Sequence, residues 1–273
     1  MANYKTEGIV LKSIKLGEAD KIITIYSSER GKISAVAKGI RKTKSKFGAR
    51  LEPFSHVSLM LYDGRNLDIV TQVELISSFK EIREDFDKVV YGAAMLDLLE
   101  KLCPLEEKDE IVFDFVLSSL RALSIASRNV PLLLAAFDLK LMSIAGFRPN
   151  LTSCAVCSQE ASTLKKELIF SCEWGGLLCD KCGLSDIEAM SIGRTTLEAL
   201  NEIMRREMED VVNLEVSKRL EKELLMLSQR HVKYYLQARL KSREYLARND
   251  SIEVSLNQAR QGVQDLPQPP SMV

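Results

Sequence analysis

The first 76 residues alternate apolar and polar side chains at a two-residue period, and most of the chain beyond them repeats at a helical one. Val57, Leu59 and Leu61 share one face of an extended run, and Leu67, Ile69, Thr71, Val73 and Leu75 share one face of another. Lys32 to Lys38 alternates in the same way, and Gly8 to Leu16 and Lys21 to Ser27 complete about five runs. This period turns half of each strand toward a core and half toward solvent. Turn residues separate the runs: Gly17-Glu18-Ala19-Asp20, Glu29-Arg30-Gly31, and Asp63-Gly64-Arg65-Asn66 with its hairpin-favouring Asp-Gly pair. Five short strands in roughly 75 residues suit a small closed barrel, which leaves no strand edge exposed. The leading expectation is an OB-fold over residues 1–78; strand count alone does not separate it from an SH3-like barrel.

At Ser77 the period changes. Ser78 and Glu81 have the spacing of a capping box, and Ile82, Phe86, Val89, Ala93, Leu96 and Leu99 then recur at helical spacing as far as Cys103-Pro104. Ile111 to Ser127 continues in this style. Asn129 and Pro131 open a further helix that Gly146 and Pro149 close. Helical spacing resumes from about Ser191 to Met208 and from Leu214 to Leu246. Residues 150–187 break the pattern with cysteines and the pair Gly175-Gly176, so they are expected as an insertion in a helical domain made of 79–149 and 188–248. Residues 251–273 have the Gln/Pro/Ser composition of a flexible tail. The fold class expected is α+β: an N-terminal five-stranded OB-fold β-barrel, then a mainly α-helical domain with a four-cysteine zinc-binding insertion.

Composition adds compartment and charge. With 46% hydrophobic and 28% charged residues the chain has the make-up of a soluble globular protein. Its first residues, MANYKTEGIVLKS, lack the apolar centre of a secretory signal, and no apolar run approaches the ~20 residues of a membrane span. A cytoplasmic location with reduced thiols follows as the expectation. The 38 basic and 38 acidic side chains cancel overall but not locally. Residues 1–80 hold 14 Lys/Arg against 8 Asp/Glu, a net of +6, and residues 81–110 hold 4 against 10, a net of −6.

The basic excess is concentrated in KGIRKTKSKFGAR, residues 38–50, where Lys38, Arg41, Lys42, Lys44, Lys46 and Arg50 have no acidic neighbour. A solvated loop needs no partner, but a cationic loop between the third and fourth strands of an OB barrel is suited to phosphates. Clustered cations release counterions from a nucleic-acid backbone without reading its sequence. Phe47 within the loop is a candidate stacking platform for a base or, equally, an anchor beneath the loop. Lys12, Lys15, Lys21 and Lys32 are candidates to extend the basic surface, while Tyr26, Phe54 and Tyr62 fit a core better.

Cys154-Ala-Val-Cys157 and Cys179-Asp-Lys-Cys182 are two C-x-x-C pairs separated by 21 residues, close to the spacing of a four-cysteine zinc ribbon. A redox pair or an iron–sulfur cluster is the alternative. Four thiolates would fill a zinc tetrahedron and leave no position for an activated water, so such a metal is structural. Cys172 is expected as a spectator and Cys103 as a small buried hydrophobe. His56 and His231 are expected to be structural. No phosphate-binding glycine loop, dinucleotide turn or nucleophile elbow occurs. A binding module is therefore favoured over an enzyme, with a zinc-containing nuclease or nucleotidyl transferase as the surviving catalytic alternative.

EGIVLKSIKLGEADKIITIYSSERGKISAVAKGIRK and LEPFSHVSLMLYDGRNLDIVTQVELISSF resemble the opening barrel of the RecO family of bacterial recombination mediators. FDLKLMSIAGFRPNLTSCAVC with FSCEWGGLLCDKCG resembles that family's helix-to-zinc segment, and LKSREYL its closing helix. The resemblance spans residues 7–246. It implies an OB-fold, a helical domain and one structural Zn²⁺ per chain. It also implies binding of single- and double-stranded DNA, annealing of complementary strands and a nucleoid-associated location. The implied partners are RecR and the single-stranded-DNA-binding protein, and further along the same pathway RecF and RecA, the recombinase being loaded with the help of RecR. An adaptor that recruits these proteins, with DNA contact secondary, is the alternative role.

Overall fold

A computed structural model describes residues 2–164 and 168–246. The tail expected over 251–273 lies outside the described residues. Five strands, β1 (Asn3–Leu16), β2 (Asp20–Ser27), β3 (Gly31–Ala37), β4 (His56–Tyr62) and β5 (Asp68–Ser77), close into a barrel in the order β1-β2-β3-β5-β4. Neighbours are antiparallel except where β3 meets β5, Ala35 opposite Asp68 and Val36 opposite Ile69. This parallel closure of the third strand on the fifth belongs to the OB barrel and settles the choice against the SH3-like one. Val10, Ile23, Ile25, Ile33, Ala35, Val57, Leu59, Leu61 and Val70 fill the interior.

The barrel is not a separate bead. A shift of register between Val10 and Lys12 turns β1, so that Ile9 and Leu11 leave the barrel core and join Tyr26 and Phe54 in the core of the helical domain. Gly31, at φ +63, lies so close to the next domain that a Cβ there would stand 1.9 Å from the Glu107 carbonyl oxygen. The Glu106 amide donates to the Lys32 carbonyl at 2.9 Å. Ion pairs cross the same boundary in both senses, Lys12 of the barrel with Glu100 at 3.3 Å and Glu29 of the barrel with Lys108 at 3.5 Å.

The helical domain consists of α1 (Lys80–Arg83), α2 (Phe86–Leu102), α3 (Glu110–Ile125), α4 (Val130–Ile144), α5 (Arg194–Arg205), α6 (Met208–Val211) and α7 (Lys218–Leu236), followed by a short helix over 241–246. The capping box expected at Ser78 and Glu81 does not form. Phe79 precedes α1 in a left-handed conformation with no side-chain cap, and the long helix starts afresh after Asp85, whose carboxylate accepts from the Lys88 amide. α4 is buried nearly all round, from Leu132 to Met142, and is the post on which α2, α3 and α7 pack. The single helix expected from Leu214 to Leu246 is two: Ser217 caps α7, and Gln237 ends it at φ +48. Between α4 and α5, β6 (Leu168–Ser171), β7 (Gly176–Leu178) and β8 (Met190–Ile192) form a sheet in the order β7-β6-β8. The inserted unit therefore runs on through Ile192, past the expected limit of 187.

His231 is fully buried on α7, its Nε2 2.8 Å from the Phe147 carbonyl and its ring against Phe170 and Tyr235. Burial holds its pKa below the usual 6.5, against the opposing pull of that carbonyl and of Asp138. The unfolded chain takes up a proton near 6.5 that the folded protein resists, so this contribution to stability is complete above 6.5 and is lost as pH falls. Urea unfolding between about pH 7 and pH 5.5 is expected to show declining stability, and His231→Gln a shallower decline. An equal slope in the variant would remove His231 as the cause.

Candidate metal centre and nucleic-acid interface

Two tight turns bring four cysteines together. In the first, the Ser158 amide donates to the Cys154 carbonyl at 2.9 Å, with Ser158 at φ +60; in the second, the Gly183 amide donates to the Cys179 carbonyl at 2.9 Å. The turns are tied to each other because the Ala155 amide donates to Leu177 at 2.7 Å and the Cys179 amide points at the Cys154 sulfur at 3.4 Å. The Sγ atoms of Cys154, Cys157, Cys179 and Cys182 all lie within 4.8 Å of one another, and those of Cys157 and Cys179 are 3.8 Å apart. A tetrahedral ion with metal–sulfur bonds of about 2.3 Å separates its ligand sulfurs by about 3.8 Å. Four thiols at this spacing can hold a metal ion.

The donors are also prepared for it. Burial alone would raise the Cys154 thiol, but amides of Cys157, Cys179 and Val156 directed at its sulfur outweigh that and bring it down to about 6. Sharing with neighbouring sulfurs pushes Cys182 up to about 12. Cys172 stands apart from the four, its thiol pushed up to about 11 by burial, and Cys103 is half-buried beside Tyr26 with its thiol likewise pushed up to about 11, mainly by desolvation.

The basic loop folds over one end of the barrel. The Arg41 amide donates to the Ala19 carbonyl and its guanidinium to Gly17 and Glu18, which fastens the loop to the β1–β2 turn. Lys46 donates to the Thr71 carbonyl at 2.8 Å, and Arg50 to the Lys46 carbonyl at 2.8 Å. Lys38, Lys42 and Lys44 are exposed with no partner among the described residues. The six cations thus divide into three that build the loop and three that face solvent.

Phe47 requires a correction. It is 1% exposed and packs in the barrel core with Leu51, immediately before the 3-10 turn Gly48–Leu51. Its ring is an anchor under the loop and offers no face to a base. Of the other lysines, Lys21 pairs with Glu52 at 2.9 Å and Lys32 donates to the Glu100 carbonyl, so with Lys12 they serve the barrel's own contacts. Tyr26 and Phe54 are core, but Tyr62 is 37% exposed.

A further surface feature is invisible in the sequence alone. Ile14 lies opposite Ile22, Ile22 opposite Val36, Val36 opposite Ile69 and Ile69 opposite Tyr62. None of these joins the barrel core, whereas their neighbours Ile23, Ala35 and Val70 do. An apolar row therefore crosses the outer face of the barrel. The signal was present in strands whose outward positions are also aliphatic, but joining them needs the register.

An OB barrel docked on a helical domain that carries a four-cysteine cluster able to hold a metal ion defines a narrow class of proteins. A family model described as Recombination protein O N terminal matches residues 1–79, and one described as Recombination protein O C terminal matches residues 83–244. The chain belongs to the RecO family of DNA repair proteins. It is 35% identical over 248 residues to a DNA repair protein RecO of Desulforamulus reducens, covering 91% of this chain and 95% of that one. It is 33% identical to the RecO of Symbiobacterium thermophilum over 90% and 97% of the two chains, and 41% identical to that of Rubrobacter xylanophilus over 67% and 72%. No helix among the described residues is long and apolar enough to cross a membrane.

Proposed function

We propose that this protein is a non-catalytic recombination mediator that binds single- and double-stranded DNA through its OB barrel and anneals complementary strands. In this reading it works with RecR to load RecA onto DNA covered by the single-stranded-DNA-binding protein, with RecF in the same pathway and the nucleoid as its place of work. The observation that carries the DNA-binding part is the division of the basic loop: Lys38, Lys42 and Lys44 face solvent from a loop that Arg41 and Lys46 tie to the β1–β2 turn and to β5. Cations at fixed positions neutralise phosphates on two approaching strands and lower their repulsion without covalent chemistry. The two histidines are engaged structurally, His56 with Glu7 at 3.1 Å and His231 with Phe147, which favours binding over catalysis. Four thiolates favour zinc as the ion and a structural role for it.

Replacing Lys38, Lys42 and Lys44 together by alanine is expected to weaken single-strand binding. The log–log salt slope should fall by roughly 0.7 for each phosphate that is no longer neutralised. Fluorescence anisotropy over a salt series measures this, and an unchanged slope would overturn the loop's role. The adaptor role would have at its disposal a groove of about 810 Å³ between barrel and helices, where Leu11, Phe54 and Leu96 lie among charges of both signs, Lys12, Lys101 and Lys241 with Asp97 and Glu100.

A further inference from the structure

On the side of the helical domain where α2, α4 and α7 begin, their first turns surround a pocket of about 690 Å³. Glu221 of α7 lines it and is 2% exposed. Its Oε2 accepts from Lys218 Nζ at 2.7 Å, but its Oε1 has no partner among the described residues. A buried carboxylate oxygen left without a donor is costly, and native structures seldom leave one so. Lys218 cannot supply the missing bond as it stands: its ammonium meets one oxygen, and its side chain is 77% exposed. The other charges around the pocket are of both signs. Lys88 is spent on the Ser124 carbonyl at 2.8 Å, Arg128 on the Asn213 carbonyl at 3.2 Å, and Asp85 on the Lys88 amide at 3.1 Å. Asp87 and Lys222 are exposed with no partner among the described residues. The uncommitted charges are thus Lys222 against Asp87 and the bare oxygen of Glu221, and of the three only the last is buried.

We propose that this pocket receives an arginine side chain of a partner protein, whose guanidinium takes both oxygens of Glu221 in place of Lys218. A guanidinium presents two parallel N–H donors at the spacing of two carboxylate oxygens, so one group satisfies both the bare atom and the one Lys218 now holds. Lys218 gives way readily because most of its side chain is already in water. Phe86, 65% exposed and lining the same pocket, offers a ring face to the planar cation or its alkyl stem. Lys222 is the one feature that opposes a cation; it follows Glu221 directly and so projects about 100° further round the helix. At about 690 Å³ the pocket has the size of a ligand site rather than of a single ion, and Val90 and Leu225 give apolar lining for the residues flanking the arginine. Arginine is also one of the few side chains whose burial in a partner's pocket dominates an interface.

The experiment uses the full chain. Leu246 also lines the pocket and Arg248 follows it by two residues, so a full-length Arg248→Ala variant is measured beside the parent. The probe is the peptide acetyl-Ala-Leu-Arg-Leu-Ala-amide, titrated by calorimetry, with lysine and uncharged citrulline versions as controls. The arginine peptide is expected to bind parent and Arg248→Ala alike, the lysine peptide about tenfold more weakly, and the citrulline peptide not measurably. Glu221→Gln keeps the shape of the side chain without its charge and should weaken the arginine peptide about tenfold or more. Lys218→Ala, at an exposed position, should strengthen it because the competing ammonium is gone. Circular dichroism and the thermal midpoint verify folding, and Lys218→Ala provides the measurement if Glu221→Gln does not fold. An arginine peptide that fails to bind, binds Glu221→Gln as well as the parent, or loses affinity for Lys218→Ala would overturn the proposal, as would equal affinity for the lysine peptide. Binding confined to Arg248→Ala would assign the pocket to the chain's own arginine and overturn the partner's claim to it.

Discussion

Protein carrying Cys179→Ser is expected to purify without its metal and to lose about 4 kcal/mol or more of stability, with the damage beginning in the insertion. The insertion has little that would hold it together alone: three strands of 4, 3 and 3 residues and two tight turns. It is nevertheless continuous with the main core, since Leu151, Leu168, Phe170, Leu177, Leu178 and Ile192 belong to the same cluster as α4 and α7. Phe170 lies 6.1 Å from the His231 ring. Unfolding the insertion would therefore uncover one side of α7 and lower the midpoint of the whole domain.

The chain reports on this directly because its one tryptophan, Trp174, sits in the turn between β6 and β7, 48% exposed with its amide bonded to Ser171 at 3.0 Å. Treatment with a strong chelator is expected to shift Trp174 emission to longer wavelength before helical circular dichroism is lost, and added Zn²⁺ to reverse the shift. Cys172→Ser, remote from the four sulfurs, should retain metal and midpoint. A metal-free Cys179→Ser protein with parental emission and midpoint would end the case for a structural metal.

How much of this was legible beforehand depended on whether the deciding contact was local. Alternation announced the strands because every inward side chain of β2 and β3 lies two positions from the next. The cysteines announced themselves because ligand spacing within a turn is fixed by the turn. Phe47 was undecided in sequence, since a loop aromatic surrounded by lysines has the same neighbours whether it points into the barrel or out. Only closure of β3 on β5 supplies the pocket that swallows it. Met190-Ser-Ile192 is too short to show a period, and its identity as a strand comes from pairing with Leu168 to Phe170. The break at Gln237 was hidden for another reason. Leu240 follows Leu236 at helical spacing, and what redirects the chain is a pair of distant carboxylates.

Those carboxylates set the second large effect. Asp138, fully buried on α4, accepts from both terminal nitrogens of Arg243 at 2.6 and 2.5 Å and from the Ser228 hydroxyl at 3.2 Å. Asp97 on α2 accepts from the amide and hydroxyl of Ser242 at 3.2 and 2.8 Å. Together they hold the 241–246 helix in place, with Leu240 and Leu246 buried on either side. Removing one half of a buried pair leaves a charge with neither water nor partner, so Arg243→Met is expected to cost about 3–5 kcal/mol, close to 10 °C in midpoint for a domain of this size. Arg243→Lys keeps the charge but not the two-pronged fit, and should fall between parent and Arg243→Met. Replacing both partners, Asp138→Leu with Arg243→Met, removes the stranded charge and should recover most of the loss. If Arg243→Met unfolds within about 1 kcal/mol of the parent, the pair is dispensable and packing of Leu240 and Leu246 alone holds the closing helix.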